Sequence, residues 1–235
     1  MSPPFTFFIH THTDCLDALA ICVGQLHKYF PEHRKVVGIN REPPEPIRGC
    51  ETFLYDESVP YTERLLKLLP EVKDEVILYM HEDMLLYDNP DHEELERMAL
   101  MVKGGHADFL KLIAVKPLGN VVTPSVRTID GDYYFSVQPT LWRTSSLENL
   151  LDGTSLNIWD LESTIQKKAR RLTTGFCYYK GVEQLRGLMH YDSHIFPYVA
   201  TAIVKGRWNT AEYPFELKDL FREYKTPMTR DRNGM

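Results

Sequence analysis

The sequence of residues 75–83 is E-V-I-L-Y-M-H-E-D, an apolar run that leads directly into His81, Glu82 and Asp83. A short apolar run with polar ends is typical of a buried β-strand. Adjacent carboxylates at the end of such a strand present oxygen ligands at a fixed sheet edge, where they can hold a divalent cation against phosphate. The alternative is that Glu82 and Asp83 face water, as most acidic residues do. The segment predicts a buried strand followed by a candidate cation site.

Strands and helices alternate around this segment, over roughly residues 1–115. Apolar runs predict further strands at residues 5–11, 35–40, 52–55 and 108–115. Apolar residues at helical spacing predict helices at residues 15–30, 61–69 and 90–103. The last of these has Pro90 at its start, acids in its first turn and Gly104-Gly105 after its end. This alternation indicates an α/β fold in which helices cover a mainly parallel sheet.

The pattern changes near residue 120. Residues 121–137 have the pattern of a β-hairpin with Asp130-Gly131-Asp132 as its turn. The remaining predicted elements are helices at residues 145–151, 159–172 and 214–224 and strands at residues 176–179 and 198–204. We interpret residues 1–224 as a single domain with two halves, about 1–115 and 116–224, followed by a polar, flexible tail at 225–235.

The composition limits the class of protein and its partners. The chain has 235 residues, 43% of them hydrophobic and 26% charged, which is enough for a sizeable core. Its net charge of −6 argues against a nucleic acid or an anionic membrane as partner. The longest apolar stretch, residues 18–23, is too short for a membrane span, and residues 1–13 have no basic start before an apolar run. We expect a cytoplasmic protein whose four cysteines are reduced.

Candidate ligand-binding residues follow the predicted strands, because ligands of open α/β sheets bind beyond the carboxyl ends of the strands. Besides residues 81–83, polar residues stand at 11–14 and at Asp56-Glu57. For Asp14 the alternative role is to cap the amino end of the helix predicted at 15–30.

Two parts of the sequence resemble a known family. Residues 61–86, Y-T-E-R-L-L-K-L-L-P-E-V-K-D-E-V-I-L-Y-M-H-E-D-M-L-L, resemble nucleotide-sugar glycosyltransferases with the GT-A fold, where a helix leads into an apolar strand that ends in an acidic metal-binding motif. Residues 135–142, F-S-V-Q-P-T-L-W, and 157–162, N-I-W-D-L-E, resemble the acceptor-side half of small bacterial and viral enzymes of this type. The likeness covers roughly residues 5–210 and implies one α/β, GT-A-like domain with a mixed central sheet.

The resemblance also implies a cofactor and substrates. Asp83, seconded by Glu82, would hold Mn²⁺ or Mg²⁺ on the diphosphate of a nucleotide-sugar donor, by default a UDP-sugar. Thr11 and Asp14 would lie near the nucleoside, with Asp56 as a further donor-binding residue. The acceptor would be a hydroxyl group of a glycan or another molecule.

One position departs from the family pattern. The usual motif is aspartate, any residue, aspartate, and its first position is occupied here by His81. An imidazole can ligate Mn²⁺, so His81 is a candidate third ligand. The alternative is that His81 points back into the sheet. Later in the chain, His190, Asp192 and His194 are either another source of a metal ligand or ordinary surface residues.

The second candidate cluster is Trp159-Asp160-Leu161-Glu162. An inverting transfer needs a carboxylate that takes the proton of the acceptor hydroxyl. Asp160 and Glu162 are two residues apart on a helix, about 200° around its axis, so they cannot both face one site. Trp159 and Glu162 share a face, whereas Asp160 is three residues after Asn157 and can form a helix cap. We therefore favour Glu162 as the base over Asp160, with a purely structural role for both as the alternative.

Other candidate substrate contacts precede this helix. Gln138 is a polar residue between Val137 and Pro139, where it is expected to bond something specific, and Trp142 and Trp159 can stack on a sugar ring. For Trp142, as for the aromatic residues at 133–135, the alternative is packing in the core.

A rival interpretation starts from His10-Thr11-His12-Thr13. Alternating histidines at a strand end can bind zinc, and this segment resembles the opening motif of the polymerase-and-histidinol-phosphatase type of metal phosphoesterases. Asp192-Ser193-His194 resembles the closing motif. Against this, Leu16 stands where that family has serine, the next strand ends in Gly38-Ile39-Asn40, and the family's barrel needs more strand and helix units. A noncatalytic protein that binds a sugar or nucleotide is a third interpretation.

Overall fold

A computed structural model describes residues 3–186 and 190–230 of the chain. A short 3-10 turn at Thr13–Cys15 precedes the first helix. The helices are α1 (Leu16–Tyr29), α2 (Tyr61–Val72), α3 (His92–Lys103), α4 (Thr144–Leu151), α5 (Ile158–Thr164), α6 (Gln166–Leu172) and α7 (Pro214–Tyr224). Among these, no helix has the length and apolar character that crossing a bilayer requires within the described residues.

The strands fall into one main sheet and three short pairs. Those of the main sheet are β1 (Thr6–His10), β2 (Lys35–Ile39), β3 (Glu51–Leu54), β4 (Val76–His81), β6 (Phe109–Lys111), β7 (Leu118–Thr123), β8 (Val126–Ile129), β9 (Thr140–Arg143) and β10 (Gly175–Tyr178). The pairs are formed by β5 (Leu85–Leu86) with β13 (Tyr198–Val199), β11 (Leu185–Arg186) with β12 (His190–Tyr191), and β14 (Ile203–Val204) with β15 (Arg207–Trp208).

The main sheet has the order β3-β2-β1-β4-β9-β6-β10-β8-β7. β1 is parallel to β2 and β4, and β2 is parallel to β3, as the alternation of strands and helices predicts. β9 lies between β4 and β6 and is antiparallel to both. The sheet is therefore mixed and open. It differs from the closed barrel of eight parallel strands that the phosphoesterase interpretation requires.

Helices cover both faces of the sheet. Along β1, Phe7 and Ile9 pack in the core formed with α1, α3 and α7, whereas Phe8 packs in the core formed with α2, α4, α5 and α6. Burial on both faces explains why β1 and β4 are continuous apolar runs. The core that contains Phe8, here called the second core, is tightly packed at Gly175, where a Cβ would overlap the ring of Phe109. The Phe109 ring stacks on Trp142 with 4.4 Å between ring centres.

Three predicted elements in the second half differ from the structure. The strand predicted at 198–204 is two short strands, β13 and β14, which pair with different partners. The hairpin turns at residues 124–125, between β7 and β8, and not at Asp130–Asp132, which follow β8. The helix predicted at 159–172 is two helices, α5 and α6. The Ser163 and Thr164 hydroxyls both bond the carbonyl of Asp160, and such side-chain bonds compete with the helical backbone ladder at the point where α5 ends.

Candidate active site at the carboxyl ends of the central strands

Parallel pairing of β1, β2 and β4 brings their carboxyl ends to one edge of the sheet. His10 pairs with Gly38 on one side and with His81 on the other. The residues that follow each strand therefore lie side by side: Thr11 and His12 after β1, Asn40 after β2, and Glu82 and Asp83 after β4. This is the edge at which the sequence predicts a ligand site.

Glu82 and Asp83 form a pair of acids that are withdrawn from water. Glu82 is buried, and burial together with the neighbouring charge of Asp83 raises the pKa of its carboxyl group. Burial also raises the pKa of Asp83. A hydrogen bond from the Ile203 backbone amide partly offsets this rise. The carbonyl of Asp83 accepts a further bond from Ala202 N at 2.9 Å. The raised pKa of each carboxyl group favours its protonated form unless a cation is bound.

A divalent cation fits this pair, because a hard cation prefers carboxylate oxygens and offsets the cost of burying their charge. Glu82 and Asp83 are the residues that would hold it. The described residues contain no group of three or more His, Cys, Asp or Glu side chains arranged to bind a metal. A cation at Glu82 and Asp83 therefore needs further oxygen ligands, which the phosphates of a nucleotide can provide.

His81 is bonded to tyrosines of the second core. Its Nε2 atom lies 2.6 Å from the Tyr61 hydroxyl and 3.0 Å from the Tyr79 hydroxyl, and those two hydroxyls contact each other. Burial lowers the pKa of His81 to about 4, so the ring is neutral at physiological pH. His10 is buried next to it and stacks on Tyr55 with 4.7 Å between ring centres. A role of His81 as a metal ligand stays a prediction.

A hydrogen-bonded network of three side chains lies beside the acid pair. The Asn40 amide oxygen accepts from Thr13 N at 2.8 Å, which directs Nδ2 toward Glu57 at 2.6 Å. His12 Nδ1 accepts from Asp14 N at 3.1 Å, and its Nε2 lies 3.0 Å from Glu57 and 2.9 Å from Asn40 Nδ2. These contacts prearrange polar groups from the ends of β1, β2 and β3 on one loop surface.

The predicted donor-side residues take different places around this network. Thr11 is buried, and its carbonyl accepts from the Tyr55 hydroxyl at 2.8 Å. Asp14 lies in the 3-10 turn before α1, so the alternative that it caps α1 is wrong, because the helix begins at Leu16. Asp56 accepts from the amide and hydroxyl of Ser58 at 2.8 and 2.6 Å, whereas its neighbour Glu57 meets the network.

Sequence reasoning missed Asn40, and of the adjacent pair Asp56-Glu57 it favoured Asp56, whereas Glu57 is the member of this network. The spacing of Asp56 and Ser58 was a usable signal, because aspartate two residues before a serine commonly forms a local turn that occupies the carboxylate. Asn40 ends a strand next to β1, and its position alone could have singled it out.

Glu162 and Gln138 both line a cavity of about 210 Å³. One carboxylate oxygen of Glu162 accepts from the Val137 amide at 2.6 Å. Gln138 accepts from the Tyr198 hydroxyl at 2.8 Å. The cavity is lined by Ile113, Val115, Tyr133, Ser136, Gln138, Glu162 and His190. Within the described ranges, the buried Ser136 hydroxyl and His190 Nδ1 have no hydrogen-bond partner.

The other residues of the second cluster are in separate environments. Trp159 is 79% exposed and lines a neighbouring cavity of about 750 Å³ together with Glu162. Asp160 accepts from the Asn157 amide at 2.6 Å, while Asn157 caps α5. Trp142 is 1% exposed and packs in the second core.

Tyr61 connects the two carboxylate groups of the site. Burial raises its pKa above the usual range for tyrosine, and the charges of Tyr79, Glu162 and Glu82 add to that rise. The charges of Glu82 and Glu162 also raise the pKa of Tyr79, where burial is again the main cause. The charges of Glu82 and Glu162 therefore both act on the same buried tyrosine pair.

Several solved structures are similar to this chain in fold. A UDP-glucose pyrophosphorylase complexed with UDP-glucose matches over 95% of this chain and 100% of its own, at 9% identity and a TM-score of 0.53. TarS of S. aureus matches over 97% of this chain, at 15% identity and a TM-score of 0.51. The bifunctional IspDF of Campylobacter jejuni matches over 78%, at 16% identity and a TM-score of 0.45. This chain spans 41% of TarS and 52% of IspDF.

The fold is therefore the GT-A-like fold of nucleotide-diphospho-sugar transferases, as the sequence resemblance implied. No family model matches the sequence, and neither does any curated protein. At these identities the likeness establishes the fold, and the function has to be argued from the site.

Proposed function

We propose that this chain is a divalent-metal-dependent glycosyltransferase that moves a sugar from a nucleotide-sugar donor to a hydroxyl group of a glycan or other acceptor, with inversion. The observation that carries the proposal is the acid pair Glu82 and Asp83 at the carboxyl end of β4 together with the single carboxylate of Glu162 in a cavity. One group suits a cation on a diphosphate, and the other suits a base.

On the donor side, Glu82 and Asp83 would hold the cation, which when bound would supply positive charge to the diphosphate. Thr11, Asp14 and Asp56 are the predicted donor contacts, and the network of His12, Asn40 and Glu57 lies among them. UDP is the default nucleotide. His81 remains a candidate ligand of the cation.

On the acceptor side, Glu162 removes the proton of the attacking hydroxyl while that oxygen bonds to the anomeric carbon and the bond to the diphosphate breaks. One of its oxygens is held by the Val137 amide, which leaves the other for the acceptor. Gln138 and Trp159 bind the acceptor, Asp160 is the alternative base, and the buried Trp142 supports the sheet beneath them.

Nucleotidyl transfer is a second candidate function, because a UDP-glucose pyrophosphorylase shares the fold over its whole length. That reaction must stabilise a departing pyrophosphate, for which a glycine-rich loop is suited. Residues 11–17 after β1, T-H-T-D-C-L-D, contain no glycine. This composition favours glycosyl transfer.

A thermal-shift panel of nucleotide sugars, with and without Mn²⁺, tests the proposal. A ligand at 100 times its dissociation constant stabilises the fold by ~2.7 kcal/mol, so a shift that needs both nucleotide sugar and Mn²⁺ is expected. A shift with Zn²⁺ alone would support the phosphoesterase instead. A shift with nucleotide sugar but no turnover would support a binding protein.

A further inference from the structure

Arg230, in the segment after α7, is buried against the loop that follows β1. Its side chain is 6% exposed, and its Nε and Nη2 atoms bond the Asp17 carboxylate at 2.6 and 2.8 Å. Nη2 also donates to the carbonyl oxygen of Asp14 at 2.5 Å. A residue predicted to belong to a flexible tail thus contacts the donor side of the site; residues 231–235 of that tail lie outside the described residues.

The third nitrogen of the guanidinium group has hydrogen atoms to donate. Nη1 is buried and makes no hydrogen bond of normal geometry to the residues that the structure describes, while the Cys15 thiol interacts with the same guanidinium group. A buried N–H of a charged group without an acceptor is costly, and natural structures rarely leave one unless a ligand or water completes it. An arginine fork prefers the oxygens of carboxylate or phosphate.

The surroundings of Arg230 include the acid pair. Its charge opposes the rise in the pKa of Asp83 that burial causes. The guanidinium also lies 5.6 Å from the ring centre of Trp208 in β15. Trp208 pairs with Ile203 in β14, whose amide bonds the Asp83 carboxylate. The same short hairpin therefore positions both Asp83 and Arg230.

The tail is held at this place by a second contact. The indole Nε1 of Trp208 donates to the carbonyl of Pro227 at 3.2 Å, three residues before Arg230. Asp17 orients two of the three guanidinium nitrogens and leaves Nη1 as the one that can reach a new acceptor. The guanidinium group of Arg230 is therefore held in one orientation before any ligand binds, which lowers the entropy cost of binding.

We propose that Arg230 is the basic residue that binds the donor diphosphate, donating from Nη1 to a phosphate oxygen, with Asp17 as the residue that positions it. This inference rests on the proposed function, because it assigns the anion next to Glu82 and Asp83 to the nucleotide. The binding site is thereby composed of two parts of opposite charge: the acid pair, which takes a divalent cation, and Arg230, which takes the phosphate directly.

Calorimetric titration of the full chain with Mn²⁺ and inorganic pyrophosphate tests this assignment, because pyrophosphate carries no base or sugar. UDP, GDP, CDP and ADP serve as further probes. Arg230→Gln should weaken pyrophosphate and diphosphate binding by about 10- to 100-fold, the usual effect of losing a hydrogen bond to a charged group. Arg230→Lys keeps the charge without the fork and should lose less. Arg222→Gln, whose side chain is 72% exposed, is the matched control and should bind as the wild type does.

The outcomes separate this inference from the proposed function. If the wild type binds pyrophosphate or a nucleoside diphosphate and both Arg230 variants bind equally well, Arg230 is only a tether for the tail and the inference is wrong, whatever happens to the melting temperature. If the wild type binds none of these probes with Mn²⁺, the proposed function itself is wrong, and the assignment of Arg230 is wrong with it.

Discussion

The Glu162 carboxylate accepts a hydrogen bond from the backbone amide of Val137 at 2.6 Å. This bond ties helix α5 to the segment that leads into β9, the antiparallel strand next to β4. It fixes one carboxylate oxygen in the wall of the cavity that also contains Gln138. A base held in this way keeps its orientation without needing the acceptor to do so.

Glu162→Gln should lower turnover by ~10²–10⁴ with little change in donor affinity, because the amide keeps the acceptor for the Val137 bond but has no basicity. Steady-state kinetics with the donor that the thermal-shift panel identifies provides the measurement. Asp160→Asn is the control, since Asp160 bonds the Asn157 side chain and should tolerate the change. Turnover that survives the first change and collapses with the second would reassign the base to Asp160.

Asp83→Asn should weaken the Mn²⁺-dependent binding of nucleoside diphosphate and leave the fold intact. Burial raises the pKa of this carboxyl group, so removing its charge should not lower the melting temperature. Calorimetry with and without Mn²⁺ measures the effect, and Asp88→Asn, at an exposed position, is the control. Unchanged Mn²⁺-dependent affinity in Asp83→Asn would move the cation site elsewhere.

Lys111 should make the stability of the fold increase between pH 8 and pH 10.5. Burial lowers its pKa to about 8 from the usual lysine value of 10.5. In that interval the unfolded chain binds more protons at this residue than the folded chain, so unfolding becomes less favourable as pH rises. The expected gain is at most about 3 kcal/mol, at ~1.36 kcal/mol per pKa unit.

Urea unfolding at pH 7.5 and pH 10.5 measures this increase as the difference between wild type and Lys111→Met, which lacks the titrating group. Other groups that titrate in the same interval cancel in the comparison. Lys103→Met removes an exposed lysine and should behave as the wild type does. Parallel pH profiles for wild type and Lys111→Met would show that Lys111 has an ordinary pKa.

Gly175→Ala should lower the free energy of unfolding by ~1–3 kcal/mol, because the new methyl group overlaps the Phe109 ring. That ring cannot move easily, since it stacks on Trp142 and meets Tyr134 edge-on. Denaturant unfolding of both single variants and of Gly175→Ala/Phe109→Leu gives the coupling. The double variant should lose less stability than the sum of the two single losses. Additive losses would show that Gly175→Ala does not destabilise the fold through overlap with the Phe109 ring.

Much of the fold could be predicted from the sequence because the central strands have strong local patterns. The apolar run at 76–80 and the acids after it are adjacent in the chain, so strand and site residues were predicted together. β9 was not predicted, because it has only four residues and follows directly on Pro139. Its place between β4 and β6 depends on pairing with distant segments, which periodicity does not record.

The same limit applies to the site. Arg230 is 213 residues from Asp17, and its polar neighbours in the sequence predict a tail. The choice of Asp56 over Glu57 depended on which of two adjacent carboxylates a local turn occupies. Contacts between distant segments determine which of two adjacent residues enters a site. Residue type and position in the sequence therefore limit the candidates to a few neighbouring residues, and only the folded structure distinguishes them.

Mass spectrometry of the nucleotide product tests the central claim most directly. The chain is incubated with Mn²⁺ and the nucleotide sugar that binds, together with candidate acceptor glycans, and in parallel with a nucleoside triphosphate and a sugar 1-phosphate. The proposed function predicts release of nucleoside diphosphate from the nucleotide sugar, with that release lost in Asp83→Asn. Release of pyrophosphate in the parallel reaction, without nucleoside diphosphate in the first, would contradict it and assign the chain to nucleotidyl transfer.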